Sequence, residues 1–154
     1  MRWEESMSLQ QWASSGWLRP HQTSREEVRN LLAIADRDLA DAGSGISDDW
    51  RFGIAYNAAL KLCTVLLYAA GYRPEKALAH YRTIQALPLI LGESRKADAD
   101  YLDACRTKRN TVEYDYVGGA TAADADELIE FVRQLQPDVK GWLRQHRPEL
   151  LPGP

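Results

Sequence analysis

The chain has 154 residues, a formal net charge of −3, two cysteines, three histidines and five tryptophans. That length makes one domain, able to bury about two-thirds of its unfolded surface. The slight acidity excludes a global field that would draw the chain onto nucleic acid or an anionic membrane, so any phosphate contact must come from a local basic patch. No apolar run approaches the length needed to span a bilayer, and Met1-Arg2-Trp3-Glu4-Glu5 does not begin a secretion signal. Cys63 and Cys105 fall on apolar helix faces, as reduced core thiols of a cytoplasmic protein would. His21, His80 and His146 lie too far apart to suggest a zinc cluster, and no metal or cofactor is expected.

Residues 1–22 form an arm of irregular pattern carrying Trp3, Trp12, Trp17 and Leu18. Such an arm is costly to leave in water and is expected to pack on the bundle or on a second subunit. Residues 23–147 follow as one helical domain and 148–154 as a loose tail. Ser24-Arg25-Glu26-Glu27 reads as a capping box. Val28, Leu31, Leu32, Ala35 and Leu39 then make one apolar stripe up to Gly43.

Ser47-Asp48-Asp49 opens a second helix running to Gly71, apolar from Ile54 to Ala70 except at Asn57, Lys61 and Thr64. Those three share one edge of what should be the most buried helix. Pro74 is placed in the first turn of a third helix, where proline is tolerated. His80, Tyr81, Ile84, Leu87 and Leu91 give that helix a face, with Pro88 kinking or ending it. His80 by itself reads as a packing residue. A fourth helix spans Ala97 to Tyr116, and Gly118-Gly119 breaks it. Thr121 caps a fifth, lined by Leu128, Val132, Leu135, Val139, Trp142 and Leu143, with a bend at Pro137. No window alternates as a strand does, and nothing repeats with a period of about 20–50 residues. The fold class is all-α, an up-and-down bundle of about five helices.

The fourth helix carries the anomaly. Leu102, Cys105, Val112 and Tyr116 mark its buried stripe, and at about 100° per residue Arg109 falls near the centre of it. A guanidinium keeps its charge at any working pH, so burial demands a carboxylate, a phosphate or a wet interface. An Arg109–Glu113 ion pair is one solution, and a polar site between helices is another. Glycine-rich phosphate loops, dinucleotide fingerprints and nucleophile elbows are missing from the sequence.

Arg109-Asn110-Thr111-Val112-Glu113-Tyr114-Asp115-Tyr116, at the end of a long helix in a small bundle, resembles the signature of the HEPN superfamily. In that family an arginine, often followed by a polar residue, precedes a histidine by five positions; in one toxin branch a tyrosine follows two further on. The order of helices from Ser24 to Arg147 is similar as well. The resemblance implies a two-fold dimer with motif helices facing each other. It also implies either a metal-independent ribonuclease of toxin or defence systems, or a descendant that binds RNA, nucleotides or partners. In the toxin branch the partner is a nucleotidyltransferase that modifies the tyrosine. By this likeness Arg109 matches the motif arginine, Asn110 the polar follower and Tyr116 the later tyrosine.

The histidine position is Tyr114 here. A tyrosine ionising near about pH 10 is a poor base where a histidine near about pH 6.5 is a good one. Losing general acid–base help costs roughly 10²–10⁴-fold in rate. Tyr114 also lies about 140° round the helix from Arg109, in line with Asn110, so the two faces cannot both enter one monomer core. If Arg109 looks inward, Asn110 and Tyr114 face a dimer seam, with Arg106 and Lys108 as its basic rim. Arg109 and Tyr114 are therefore the catalytic candidates, and Arg106, Lys108, Asn110, Glu113 and Tyr116 the binding candidates. Three functions stay open: an RNA- or nucleotide-binding dimer with weak or lost ribonuclease activity, which is favoured; an active ribonuclease using Arg109 with Tyr114 or with a histidine such as His80; and a non-catalytic scaffold.

Overall fold

The computed structural model describes residues 8–114 and 118–151, with side chains as far as residue 111 in the first stretch. Helices α1 (Leu9–Ser14), α2 (Arg25–Ala42), α3 (Asp48–Ala69), α4 (Ala79–Gln85), α5 (Leu87–Leu91), α6 (Lys96–Tyr114) and α7 (Ala122–His146) account for most of it. Among the described residues the fold is all-α apart from one two-stranded ribbon. That ribbon corrects the expectation of no strands: β1 (Leu18–Pro20) pairs antiparallel with β2 (Tyr72–Pro74), Leu18 opposite Pro74 and Pro20 opposite Tyr72. Pro74 therefore ends a strand and does not start a helix. A proline is tolerated there because a two-stranded ribbon has free edges on both sides. Strands of three residues are too short for alternation to show in the sequence.

α3 is the central element, packed against α2 along one side and α7 along another. Leu62, Val65, Leu66 and Leu67 are fully buried, each worth about 1.5–3 kcal/mol of transfer free energy. Its half-buried positions include Asn57, Lys61 and Thr64, the edge expected from the sequence. Asn57 spends its amide on Asp38 of α2 at 2.6 Å, which lets a carboxylate that is 5% exposed sit in the α2–α3 seam. By length and composition Asp48–Ala69 would suffice to cross a bilayer, contrary to the expectation of no such stretch. In the bundle, 67% of its apolar window is buried against protein.

The caps follow the sequence with one change. Ser47 and Thr121 cap α3 and α7, the latter in a reciprocal box with Asp124. Ser24 accepts from the Glu27 amide, but the Glu27 carboxylate does not return the bond. It accepts from His21 Nε2 at 2.7 Å and from Thr23 Oγ1 at 2.6 Å instead. Gly71, at φ +101°, turns the chain from α3 into β2, and its carbonyl accepts from His21 N. Pro88 stands in the first turn of α5, so the predicted third helix is divided at Ala86.

Trp12 and Leu18 of the arm are buried against Leu67 and Ala86. Trp17 meets Trp12 edge to face at 5.8 Å and takes the Arg82 guanidinium on its ring at 3.6 Å, a contact worth about 0.5–2 kcal/mol. Trp3 lies outside the described residues. The tail is not loose as far as Leu151: Pro148–Leu150 is a 3₁₀ turn whose Leu150 is buried, and Arg25 donates to the Glu149 carbonyl.

Candidate functional site

Arg106 and Asn110 are four residues apart and so share one face of α6. The facing wall comes from the start of α4 and the turn before it, where Lys76, Leu78, Ala79, His80 and Tyr81 close a pocket of about 330 Å³. Leu78 sets the approach of that turn: it caps α4 in the left-handed region, φ 57° and ψ 32°, without a side-chain cap bond. A branched residue pays strain for that conformation, and its side chain stays 59% exposed.

Arg106 donates from Nε to Asp103 at 2.9 Å, and its guanidinium carbon stands 5.9 Å from the Tyr81 ring centre. Arg109, one turn on, is half-buried. The residue as a whole is less buried than its stripe position suggests, but its Nε is fully enclosed. Its guanidinium stands 5.6 Å from the ring centre of Tyr56 on α3. Tyr56 is buried, and its hydroxyl has no hydrogen-bond partner among the described residues. Burial pushes that phenol well above its usual range, against the pull of Arg106 and Arg109.

His80 is exposed at this pocket. Partial desolvation, with Arg109, Lys61 and Arg106 around it, holds the imidazole below its ordinary value, so it is neutral at physiological pH. The sequence reads His80 by itself as a packing residue and offers it as the alternative histidine of an active ribonuclease; the structure puts it in the same pocket as Arg106 and Asn110. Lys61 and Lys76 join the same electrostatic neighbourhood from α3 and from the turn before α4. The sequence reads Lys61 only as part of the polar edge of α3 and gives Lys76 no role, since each is a lone lysine far in sequence from the motif.

Lys108, expected beside Arg106 as the rim of one seam, points to the other side. Its Nζ lies 3.2 Å from Asp124, and it lines a smaller pocket with Phe52, Tyr101, Cys105 and Glu127. Burial pushes the thiols of Cys63 and Cys105 up to about 12 and about 11, and both cysteines are unbridged. Tyr114 ends α6; its side chain, that of Glu113 and all of Tyr116 lie outside the described residues, as does any Arg109–Glu113 pair. Among the described residues no group of three or more His, Cys, Asp or Glu is placed to hold a metal ion.

The structure thus brings together Arg106, Asn110 and His80, keeps Arg109 adjacent, and separates Lys108 from them. No protein-family model, curated protein or solved structure matches the chain.

Proposed function

We propose that the chain is an HEPN-like helical module that binds RNA or a nucleotide in the α4–α6 pocket and cleaves RNA weakly or not at all. In this proposal it is a two-fold dimer through α6, a cytoplasmic component of a toxin–antitoxin or defence system, and a partner for a nucleotidyltransferase. One observation carries the binding part: Arg106, Lys76, His80 and Asn110 line a single pocket whose wall has no carboxylate among the described residues. Guanidinium and ammonium donors of that kind are what phosphate recognition uses. The weakness of cleavage rests on Tyr114 at the family's histidine position.

A second reading has its own support. His80 is neutral near pH 7 and stands beside the cations, so it has the protonation state a general base needs. The test for both is wild-type protein incubated with a mixed RNA pool in EDTA, beside Arg109→Ala, Tyr114→Phe and His80→Ala, with solution mass and Tm recorded on the same samples. The favoured function predicts a dimer that retains intact RNA and loses it in a folded Arg109→Ala. Cleavage that vanishes in His80→Ala establishes the enzyme and contradicts it. An Arg109→Ala chain that fails to fold assigns Arg109 to the scaffold.

A further inference from the structure

We propose that the α4–α6 pocket receives a terminal phosphate monoester, the end of an RNA or a free nucleotide, and that His80 takes up a proton when the pocket fills. The proposal rests on the reading that this pocket binds RNA or nucleotides, and it specifies which group enters.

Charge and size point to the end of a chain. Lys76 and Arg106 supply two permanent positive charges to a wall without Asp or Glu among its described residues. Among the described residues Arg106 meets Asp103 through Nε alone, so the two terminal nitrogens of its fork are the ones assigned to the ligand. A phosphate monoester near neutral pH carries about −1.5 to −2 charges, whereas an internal phosphodiester carries one. A volume of about 330 Å³ is at the small end of ligand sites and suits one nucleotide unit better than a continuing strand. Leu78 and Tyr81 give the pocket an apolar and aromatic side for sugar or base, and Leu78 is held there in a strained backbone conformation.

The proton follows from what surrounds His80. Lys61 faces it from α3, and Arg106 and Arg109 from α6. Arg73 of β2 acts on Glu27 instead, and α5 (Leu-Pro-Leu-Ile-Leu) carries no charge. With cations around it and its hydration reduced, the imidazole is neutral in the empty pocket. A bound dianion reverses the local field and favours the imidazolium. The group's affinity for protons is thus lower in the free protein and higher in the complex. The His80 contribution is therefore fully present below the free value and is lost as pH rises through the bound one, while the ligand keeps its full dianionic charge only above its own second pKa of about 6.

The experiment is calorimetric titration of the full chain with a short RNA carrying a 5′-phosphate, the same RNA with a 5′-hydroxyl, AMP and adenosine. Titrations run at about pH 6.5 and about pH 8.5, on either side of where a histidine in an anion complex titrates, and in buffers of different ionisation enthalpy. The phosphorylated RNA should bind about tenfold or more tightly than its hydroxyl counterpart, the equivalent of one charge-assisted hydrogen bond. Proton uptake and tighter binding at the lower pH should accompany it. His80→Asn should abolish the uptake and flatten the pH dependence; Arg106→Gln should erase the preference for the phosphate. AMP binding as tightly as the phosphorylated RNA makes this a nucleotide site, and tighter RNA binding makes it a site for an RNA end. Equal affinity for the two RNAs overturns the monoester while leaving RNA binding intact. Failure of all four ligands overturns both. A phosphate preference without proton uptake, or with uptake unchanged in His80→Asn, overturns the role of His80.

Discussion

Replacing Tyr56 by phenylalanine should stabilise this protein. The Tyr56 ring is 1% exposed in the core of α3, and its hydroxyl is buried without a hydrogen-bond partner among the described residues. Leaving a hydroxyl unsatisfied inside a protein costs about 1–3 kcal/mol, and removing one oxygen from a packed site opens little space. Phenylalanine keeps the ring against Arg109, whose guanidinium carbon is 5.6 Å from the ring centre, so the cation–π contribution survives. The net expectation is a gain of about 1–2 kcal/mol, or about 3–6 °C in Tm for a chain of this size. Urea unfolding followed by circular dichroism measures it as a higher midpoint at unchanged slope. A loss of about 1 kcal/mol or more would refute the reasoning, since it would mean that the hydroxyl makes a hydrogen bond in the folded protein.

Leu78→Gly should raise stability by about 0.5–1 kcal/mol by relieving the left-handed cap while giving up an exposed side chain; a lower urea midpoint would contradict this. The hydrogen bonds of Thr23 and His21 outweigh burial and hold Glu27 below its usual value of 4.5. Its contribution is therefore present above about pH 4.5 and is lost as pH falls through the lower folded value. Glu27→Gln should accordingly narrow its stability deficit to the wild type in acid, which paired urea melts at neutral and acid pH would show. Cys63, its thiol raised to about 12 by burial, should react with a disulfide reagent only as fast as the protein opens; rapid labelling of the folded protein would overturn that.

The bundle was legible because its signals are local. Ser24, Ser47 and Thr121 announced helix starts, and the stripes of the long helices gave the buried faces of α2, α3 and α7 with few exceptions. The β1–β2 ribbon was not, because it joins residues 18–20 to 72–74 and each strand is shorter than the alternation that would reveal it. The missing half of the Ser24 capping box has a different, local origin. The Glu27 carboxylate is taken instead by Thr23 and His21, four and six residues back along the chain. Within the site, Arg106, Arg109 and Asn110 could be read from one helix. The convergence of His80, Lys61 and Lys76 on them could not, since His80 and Lys61 are noticed only one at a time and Lys76 not at all until α3 and α4 close on α6. The separation of Lys108 from Arg106 was implicit in helix geometry, two positions being about 200° apart, and Asp124 then fixes the side on which Lys108 lies.

The most direct test of the central claim is the affinity of a fluorescently labelled RNA pool for the wild type and for Arg109→Gln and Arg106→Gln, by anisotropy, with Tm measured on each sample. Loss of about tenfold or more in affinity by both variants, while each remains folded, is what phosphate recognition by this pocket predicts. Equal binding by all three folded proteins would contradict it.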